Sequence, residues 1–355
     1  MAVRERDLPD GLIANAFARI VREGTGLFGG RVAQAVERTR SIRRPHSILV
    51  WTLVRFADGS EESVVVKVPR HRIGSSDADL EKQRRRLRSE YETAVTLQAL
   101  LHDVGGVATV DPVGYFEDIP ALVTRAVPGE SLREQIMRRA RWRPARSKLD
   151  ALEESCVSAG AWLRRFQDAT ARSGEEFALE PFVAYVQLRV DRLVALRAGG
   201  MNRRLGDRVH SYLLSESEAV TPEERRVSAL HADFSLSNIL WNSGRIVVVD
   251  IPDLRNGSVL HDASRLYHQI GLLRHHPAYL ATTVRRLQTS FLRGYGGENA
   301  SFGTLFRMYL MRHTVCHWLG RLRSPAQSLR ERLYNRWVCR GHRLEVERLL
   351  KGGAV

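Results

Sequence analysis

The chain has 355 residues, 43% hydrophobic and 27% charged, which excludes a disordered or low-complexity polymer and suits a sizeable core split between two domains. Its 55 basic and 40 acidic residues give a formal charge of +15; lysine occurs only at Lys67, Lys82, Lys148 and Lys351, so the surplus is almost wholly arginine. Cys156, Cys316 and Cys339 are far apart and odd in number, which speaks against a disulfide framework and for a reducing, cytoplasmic setting.

The opening residues, Met1 to Asp7, carry no apolar signal core. The best apolar run, Ile48 to Val54, stops at Arg55, far short of the roughly 20 residues needed to span a bilayer. No transmembrane segment is expected. Residues before Arg40 read as helical, at least from Gly11 to Glu23. The glycine-rich stretch Gly24 to Gly30 has neither the Lys-Ser/Thr ending of a P-loop nor the spacing G-x-G-x-x-G, and reads as a linker between helices.

Ser47 to Phe56 and Ser63 to Val68 are rich in β-branched residues and flank Asp58-Gly59, which predicts an antiparallel hairpin. Leu80 to Leu101 has helical spacing. Its cluster Arg84-Arg85-Arg86 with Arg88 stands among Glu81, Glu90 and Glu92 and reads as a solvated helix face. No zinc-finger, RNA-binding or aromatic-interleaved basic motif accompanies it, so no nucleic-acid partner is expected; contact with an anionic surface is the alternative use of the charge. Val110 to Phe116 and Ala121 to Thr124 predict two further strands. Beyond Pro128-Gly129 the spacing is helical over 149–169, 182–198, 263–273, 279–295, 305–322 and 326–350, with one island of strand between Ala229 and Ile251. His313 and His317, four apart beside Cys316, lack a third clustered ligand and read as core or surface histidines rather than a metal site.

The chemistry concentrates in that island. It reads Leu230-His231-Ala232-Asp233-Phe234-Ser235-Leu236-Ser237-Asn238, then Ile239 to Trp241, the polar turn Asn242-Ser243-Gly244-Arg245, and Ile246 to Asp250. Folding about Ser243-Gly244 brings Asn238 nearly opposite Asp250, with Asp233 on a short loop beside them. An amide oxygen and a carboxylate converging on one point suit Mg²⁺, a hard cation with oxygen ligands. A second carboxylate nearby can accept a hydroxyl proton.

The pattern H-x-D-x-x-x-x-N followed by an apolar strand ending in Asp resembles the catalytic and metal loop of the protein-kinase-like fold. It is most similar to the aminoglycoside phosphotransferase and choline kinase family. The resemblance implies that Asp233 orients or deprotonates the acceptor hydroxyl, that His231 braces the loop, and that Asn238 and Asp250 hold Mg²⁺. Upstream, Lys67 sits alone in the apolar strand Val64 to Val68, where the family has a lysine for the nucleotide phosphates; Glu90 is its implied helix partner, with Glu92 in reserve. Pro120 to Leu132 looks like the family's hinge, in which the backbone from Thr124 to Ala126 meets adenine. Asp262 matches the family's D-L-A helix start. Ala232 stands where the family usually has glycine, Ile251-Pro252-Asp253 where it often has Phe-Gly, and no glycine-rich loop is evident between Arg40 and Ser47.

The implied fold is α+β and two-lobed, protein-kinase-like, with a small β-rich N-lobe over residues 1–127 and a larger, mostly helical C-lobe over 128–355. The implied function is a Mg²⁺- and ATP-dependent phosphotransferase acting on a hydroxyl of a small molecule, such as an aminoglycoside, a sugar, choline or a glycan precursor. A catalytically weak kinase-like module that binds a nucleotide, a partner or an anionic surface is the rival.

Overall fold

The computed structural model describes residues 7–44, 47–70, 76–102, 104–196, 200–242, 244–251, 253–297, 302–323 and 328–352. The chain forms two compact units. One comprises the chain up to Gly129 together with Val247–Leu254, the other Glu130–Ile246 and the chain from Arg255 on. No helix among the described residues is long and apolar enough to cross a membrane.

The first unit opens with helix α1 (Asp7–Leu27), followed by strands β1 (Ala33–Arg43), β2 (Ser47–Phe56) and β3 (Glu61–Pro69). Helix α2 (Asp77–Leu101) and strands β4 (Ala108–Thr109), β5 (Pro112–Phe116) and β6 (Ala121–Arg125) complete it. Five strands form an antiparallel sheet in the order β1-β2-β3-β6-β5. Alternation divides each strand between two faces. Val50, Val54, Val64, Val66 and Val68 turn to one face, where they pack with Ile13, Ala16 and Ile20 of α1. The expected hairpin is present, in the register Leu49↔Lys67.

Two expectations for the opening of the chain are corrected. The helix runs through Gly24 and Gly26 to Leu27 instead of yielding to a linker. The chain needs glycine at residue 24 because a Cβ there would stand 2.6 Å from that of Ala33. Beyond the helix, residues 33–43 form a strand rather than a helix. It is an edge strand, exposed along almost its whole length. With Glu37, Arg38, Arg40 and Arg43 facing water it shows none of the apolar alternation that marks a half-buried strand.

The second unit begins with β7 (Glu130–Ser131), α3 (Leu132–Arg139), α4 (Arg146–Ala169), α5 (Leu179–Ala195) and α6 (Arg203–Glu218). Strands β8 (Val227–Leu230), β9 (Ile239–Asn242) and β11 (Arg255–Ser258) follow, then α7 (Leu260–Leu272), α8 (Ala281–Gly296), α9 (Thr304–Arg323) and α10 (Leu329–Leu349); β10 (Arg245–Val248) is divided between the two units after Ile246. The Pro-Gly-Glu-Ser-Leu turn works as expected. Ser131 caps α3 in a capping box with Glu134, and Gly129, at a φ of 118°, takes a conformation open to glycine. Helices α4 and α8 cross at two glycines: a Cβ on Gly160 would meet the Phe291 carbonyl at 2.2 Å, and one on Gly294 the Val157 carbonyl at 1.9 Å. That close crossing sets the buried Trp162 and Phe166 of α4 beneath the loop after β8, where Trp162 stacks on Phe234 at 5.7 Å.

Candidate active site

In the first unit the site grows from one departure in an apolar strand. Lys67 falls on the face of β3 opposite Val66 and Val68. On α2, Leu87, Glu90, Ala94, Leu97 and Leu101 form a buried stripe at helical spacing, and Glu90 is its one charged member. A buried carboxylate is costly unless it is paired, and here Lys67 Nζ donates to Glu90 Oε1 at 2.6 Å and Oε2 at 2.7 Å. Lys67 also donates to Asp250 Oδ1 at 2.7 Å. Glu92 is exposed, so Glu90 is the partner. Burial works to lower the Lys67 pKa, but Glu90 and Asp250 outweigh it and hold the ammonium protonated. Burial, with the charge of Asp250 beside it, raises the Glu90 carboxyl against the pull of Lys67. Asp250 has a φ of 64°, a left-handed conformation that Asp tolerates better than most residues.

The expected hinge backbone lies in β6. Thr124 is buried and paired with Val65 and Pro112. The Arg125 and Ala126 N–H groups donate to the Asp111 and Ser63 carbonyls at 2.8 Å and 2.9 Å. Both donors are spent on neighbouring backbone carbonyls.

In the second unit the loop leaves β8, and β8 is held against β11 in antiparallel register. His231 is fully buried; its backbone N–H donates to Asp262 Oδ2 at 2.7 Å, and its Nδ1 accepts the Asp233 N–H at 3.3 Å. These bonds tie His231 to both Asp262 and Asp233. Asp262, also fully buried, accepts from His261 at 3.0 Å; these histidine contacts overcome burial and keep its pKa below the usual value. Asn238 Nδ2 donates to the Asp233 carbonyl at 3.1 Å and to Asp233 Oδ2 at 3.2 Å. The other arm of the amide, Oδ1, is then the one with lone pairs for a hard cation. Ala232 has a φ of 63°, so the glycine usual in the family would sit here without strain, whereas alanine costs about 1–2 kcal/mol. Asp233 is half-buried, and Arg265 of α7 forms an ion pair with its Oδ1.

Sequence spacing did not reveal Arg265, nor the layer of histidines beside it. His313 is buried and bonds Ser264 Oγ at 3.1 Å, while His268 bonds His317 at 3.2 Å. His342 of α10 stacks on His268 at 6.5 Å, and His275 meets His342 at 5.6 Å. Among the described residues no group of His, Cys, Asp or Glu has the arrangement of a metal site. Burial is the first cause that keeps these rings neutral. It takes His317 down to about 4 and His342 to about 3, and holds His268 and His313 well below 6.5. The unfolded chain takes up these protons near 6.5 and the folded chain does not, so stability is full above 6.5 and is lost as pH falls through 4. Each unit of displacement is worth about 1.4 kcal/mol. The melting temperature is therefore expected to drop steeply between pH 6.5 and 4; a flat profile there would mean the histidines are not packed as neutral rings.

The sequence matches the phosphotransferase enzyme family over residues 52–300, more than half of the chain. The chain belongs to that family. The solved structures it resembles include a glucosamine kinase, at 16% identity and a TM-score of 0.55, covering 90% of this chain and 95% of that one. A thermostable mutant of an aminoglycoside phosphotransferase, in ternary complex with AMP-PNP and hygromycin B, matches at 14% and 0.51, covering 94% and 99%. A choline/ethanolamine kinase family protein from Mesorhizobium loti matches at 16% and 0.53, covering 96% and 99%. No curated protein matches the sequence. At these identities the structural likeness establishes the kinase-like fold, and the family match establishes a phosphotransferase.

Proposed function

We propose that this phosphotransferase moves the γ-phosphoryl group of ATP to a hydroxyl of a small molecule, with Mg²⁺. The observation that carries the reading is the pairing of the buried Lys67 with Glu90 and Asp250 in one unit, taken together with the hydrogen-bonded Asp233 of the other. A lysine locked between two carboxylates has its head fixed, and a fixed cation is what a polyphosphate needs. The solved relative with AMP-PNP supports a nucleotide as the donor. In this reading the first unit holds the nucleotide and the second the acceptor. Adenine lies along the Thr124 to Ala126 stretch, taking its donor from Val127, since Arg125 and Ala126 have spent theirs and Pro128 has none.

Asn238 Oδ1 and the Asp250 carboxylate are hard oxygen donors and fit Mg²⁺, and so they are its proposed ligands. Mg²⁺ would neutralise phosphate charge during transfer. Asp233 takes the proton of the attacking hydroxyl; Asn238 and the buried His231 and Asp262 keep its carboxylate oriented.

Thermal unfolding tests the reading. ATP with Mg²⁺ at a hundredfold excess over Kd should stabilise the fold by about 2.7 kcal/mol, and ATP alone at the same concentration by less. Asp250→Ala and Asn238→Ala should each shrink the Mg²⁺-dependent part. An undiminished Mg²⁺ response in Asp250→Ala removes it from the ligand set, and no response to ATP in the wild type removes the donor.

A further inference from the structure

The carboxylate at the centre of the proposed site already has a cation on it. Arg265 stands three residues beyond Asp262 on α7, and its Nη2 pairs with Asp233 Oδ1. The arginine side chain is 29% exposed and the aspartate 47%, so the guanidinium is the more enclosed partner. Its Nε is buried without a hydrogen-bond partner. After burial, its positive charge is the next cause that keeps the partly buried His317 neutral, and it is a smaller one for the buried His313.

More positive charge lies close by. Tyr309 contacts the ring of His261, the neighbour of Asp262, at 5.7 Å. Arg312 stands over Tyr309 at 5.7 Å and over Tyr185 at 5.2 Å, while Arg189 covers Tyr185 at 4.7 Å. Among the described residues neither Arg189 nor Arg312 forms an ion pair with a carboxylate, and the Arg189 Nε is buried and unpartnered. The two acidic groups of the loop are both occupied, Asp233 by Arg265 and Asp262 by His261 and the His231 N–H. The charge left over beside the loop is positive.

A cationic acceptor would lose solvation there, with Asp233 and Asp262 already paired. A hydroxyl compound with an anionic group would meet guanidinium forks, which suit carboxylate and phosphate oxygens. We propose that the acceptor is a hydroxylated small molecule carrying a carboxylate or phosphate, and that Arg265 is the residue that selects it. This rests on the phosphotransfer reading above. As the acceptor arrives, the guanidinium passes from Asp233 to the anionic group, freeing Oδ1 for the hydroxyl. The acceptor oxygen then bonds to the γ-phosphorus, the bond from that phosphorus to the β,γ-bridging oxygen breaks, ADP leaves with the electron pair, and the hydroxyl proton passes to Asp233.

Matched acceptors test this. On a hexose skeleton they are glucose, glucosamine, gluconate and glucose 6-phosphate; on a three-carbon skeleton they are glycerol, aminopropanediol, glycerate and glycerol 3-phosphate. The readout is kcat/KM for phosphoryl transfer from ATP by the wild type, Arg265→Gln and Arg265→Lys. The wild type is expected to favour an anionic member over the cationic one on the skeleton it accepts, and the carboxylate and phosphate arms show which anion it takes. Arg265→Gln should reduce that anionic-to-cationic ratio by about 10- to 100-fold, the worth of a charge-assisted hydrogen bond. Arg265→Lys should retain part of it, whereas a purely structural role for Arg265 would lower all acceptors alike and leave the ratio unchanged. Transfer that favours the neutral or cationic member, or a ratio unmoved in Arg265→Gln, overturns the proposal while leaving phosphotransfer intact. Transfer to none of them, with ATP bound, overturns the phosphotransfer reading and this proposal with it.

Discussion

Asp233→Asn is expected to keep the affinity for ATP and Mg²⁺ within a small factor while losing phosphoryl transfer by about 10²–10⁴-fold. The substitution preserves the size of the side chain and its ability to accept from Asn238, but it removes the charge and the basic oxygen. It also removes the anionic partner of Arg265, whose half-enclosed guanidinium must then find another. A modest loss of stability is expected with it, so circular dichroism and a nucleotide titration belong beside the rate. Transfer at the wild-type rate would mean that the hydroxyl proton leaves by another route.

The second large effect lies in the first unit. A lone lysine directed at a nucleotide contributes little to packing when judged from sequence, so its loss should spare the fold. The structure argues otherwise, because Lys67 is the counter-ion of the buried Glu90, with side-chain exposures of 14% and 10%. Lys67→Ala leaves two carboxylates, Glu90 and Asp250, without their shared cation. Removing one partner of a buried pair costs about 3–5 kcal/mol, and that loss is expected at neutral pH from urea unfolding. The Glu90 pKa is raised above its ordinary 4.5 in the fold, so the native state binds the proton first. The deficit should therefore shrink as pH falls through the raised value toward 4.5, and at neutral pH Glu90→Gln in the same background should recover much of it. Unchanged stability in Lys67→Ala would mean that Glu90 is satisfied by other groups.

The parts of the site that could be read from sequence are those that break a local pattern. A lysine in a valine strand and a glutamate in an apolar helical stripe each demand a partner, and the partner proves to be the other. The loop residues His231, Asp233, Asn238 and Asp262 carry fixed spacing, and all four are joined by hydrogen bonds. What could not be read depends on tertiary placement. Arg265 looks like any helix arginine until α7 turns it toward Asp233. His268, His317 and His342 come from three helices, and only the i, i+4 pair on α9 has a sequence signature. Strand β1 is hidden by the charges that protect an exposed sheet edge. The Ala126 N–H is taken up by the carbonyl of Ser63, a residue distant in sequence.

The central claim is transfer of a phosphoryl group from ATP to a hydroxyl, with Asp233 as proton acceptor. Mass spectrometry of a small-molecule hydroxyl panel, incubated with the wild type, Mg²⁺ and ATP and again with Asp233→Asn, tests it most directly. The expected result is an acceptor that gains one phosphoryl group, matched by an equal amount of ADP, and a product yield that falls by about 10²–10⁴-fold in the variant at equal time. ADP formed without any phosphorylated acceptor, or equal yields from both proteins, would contradict it.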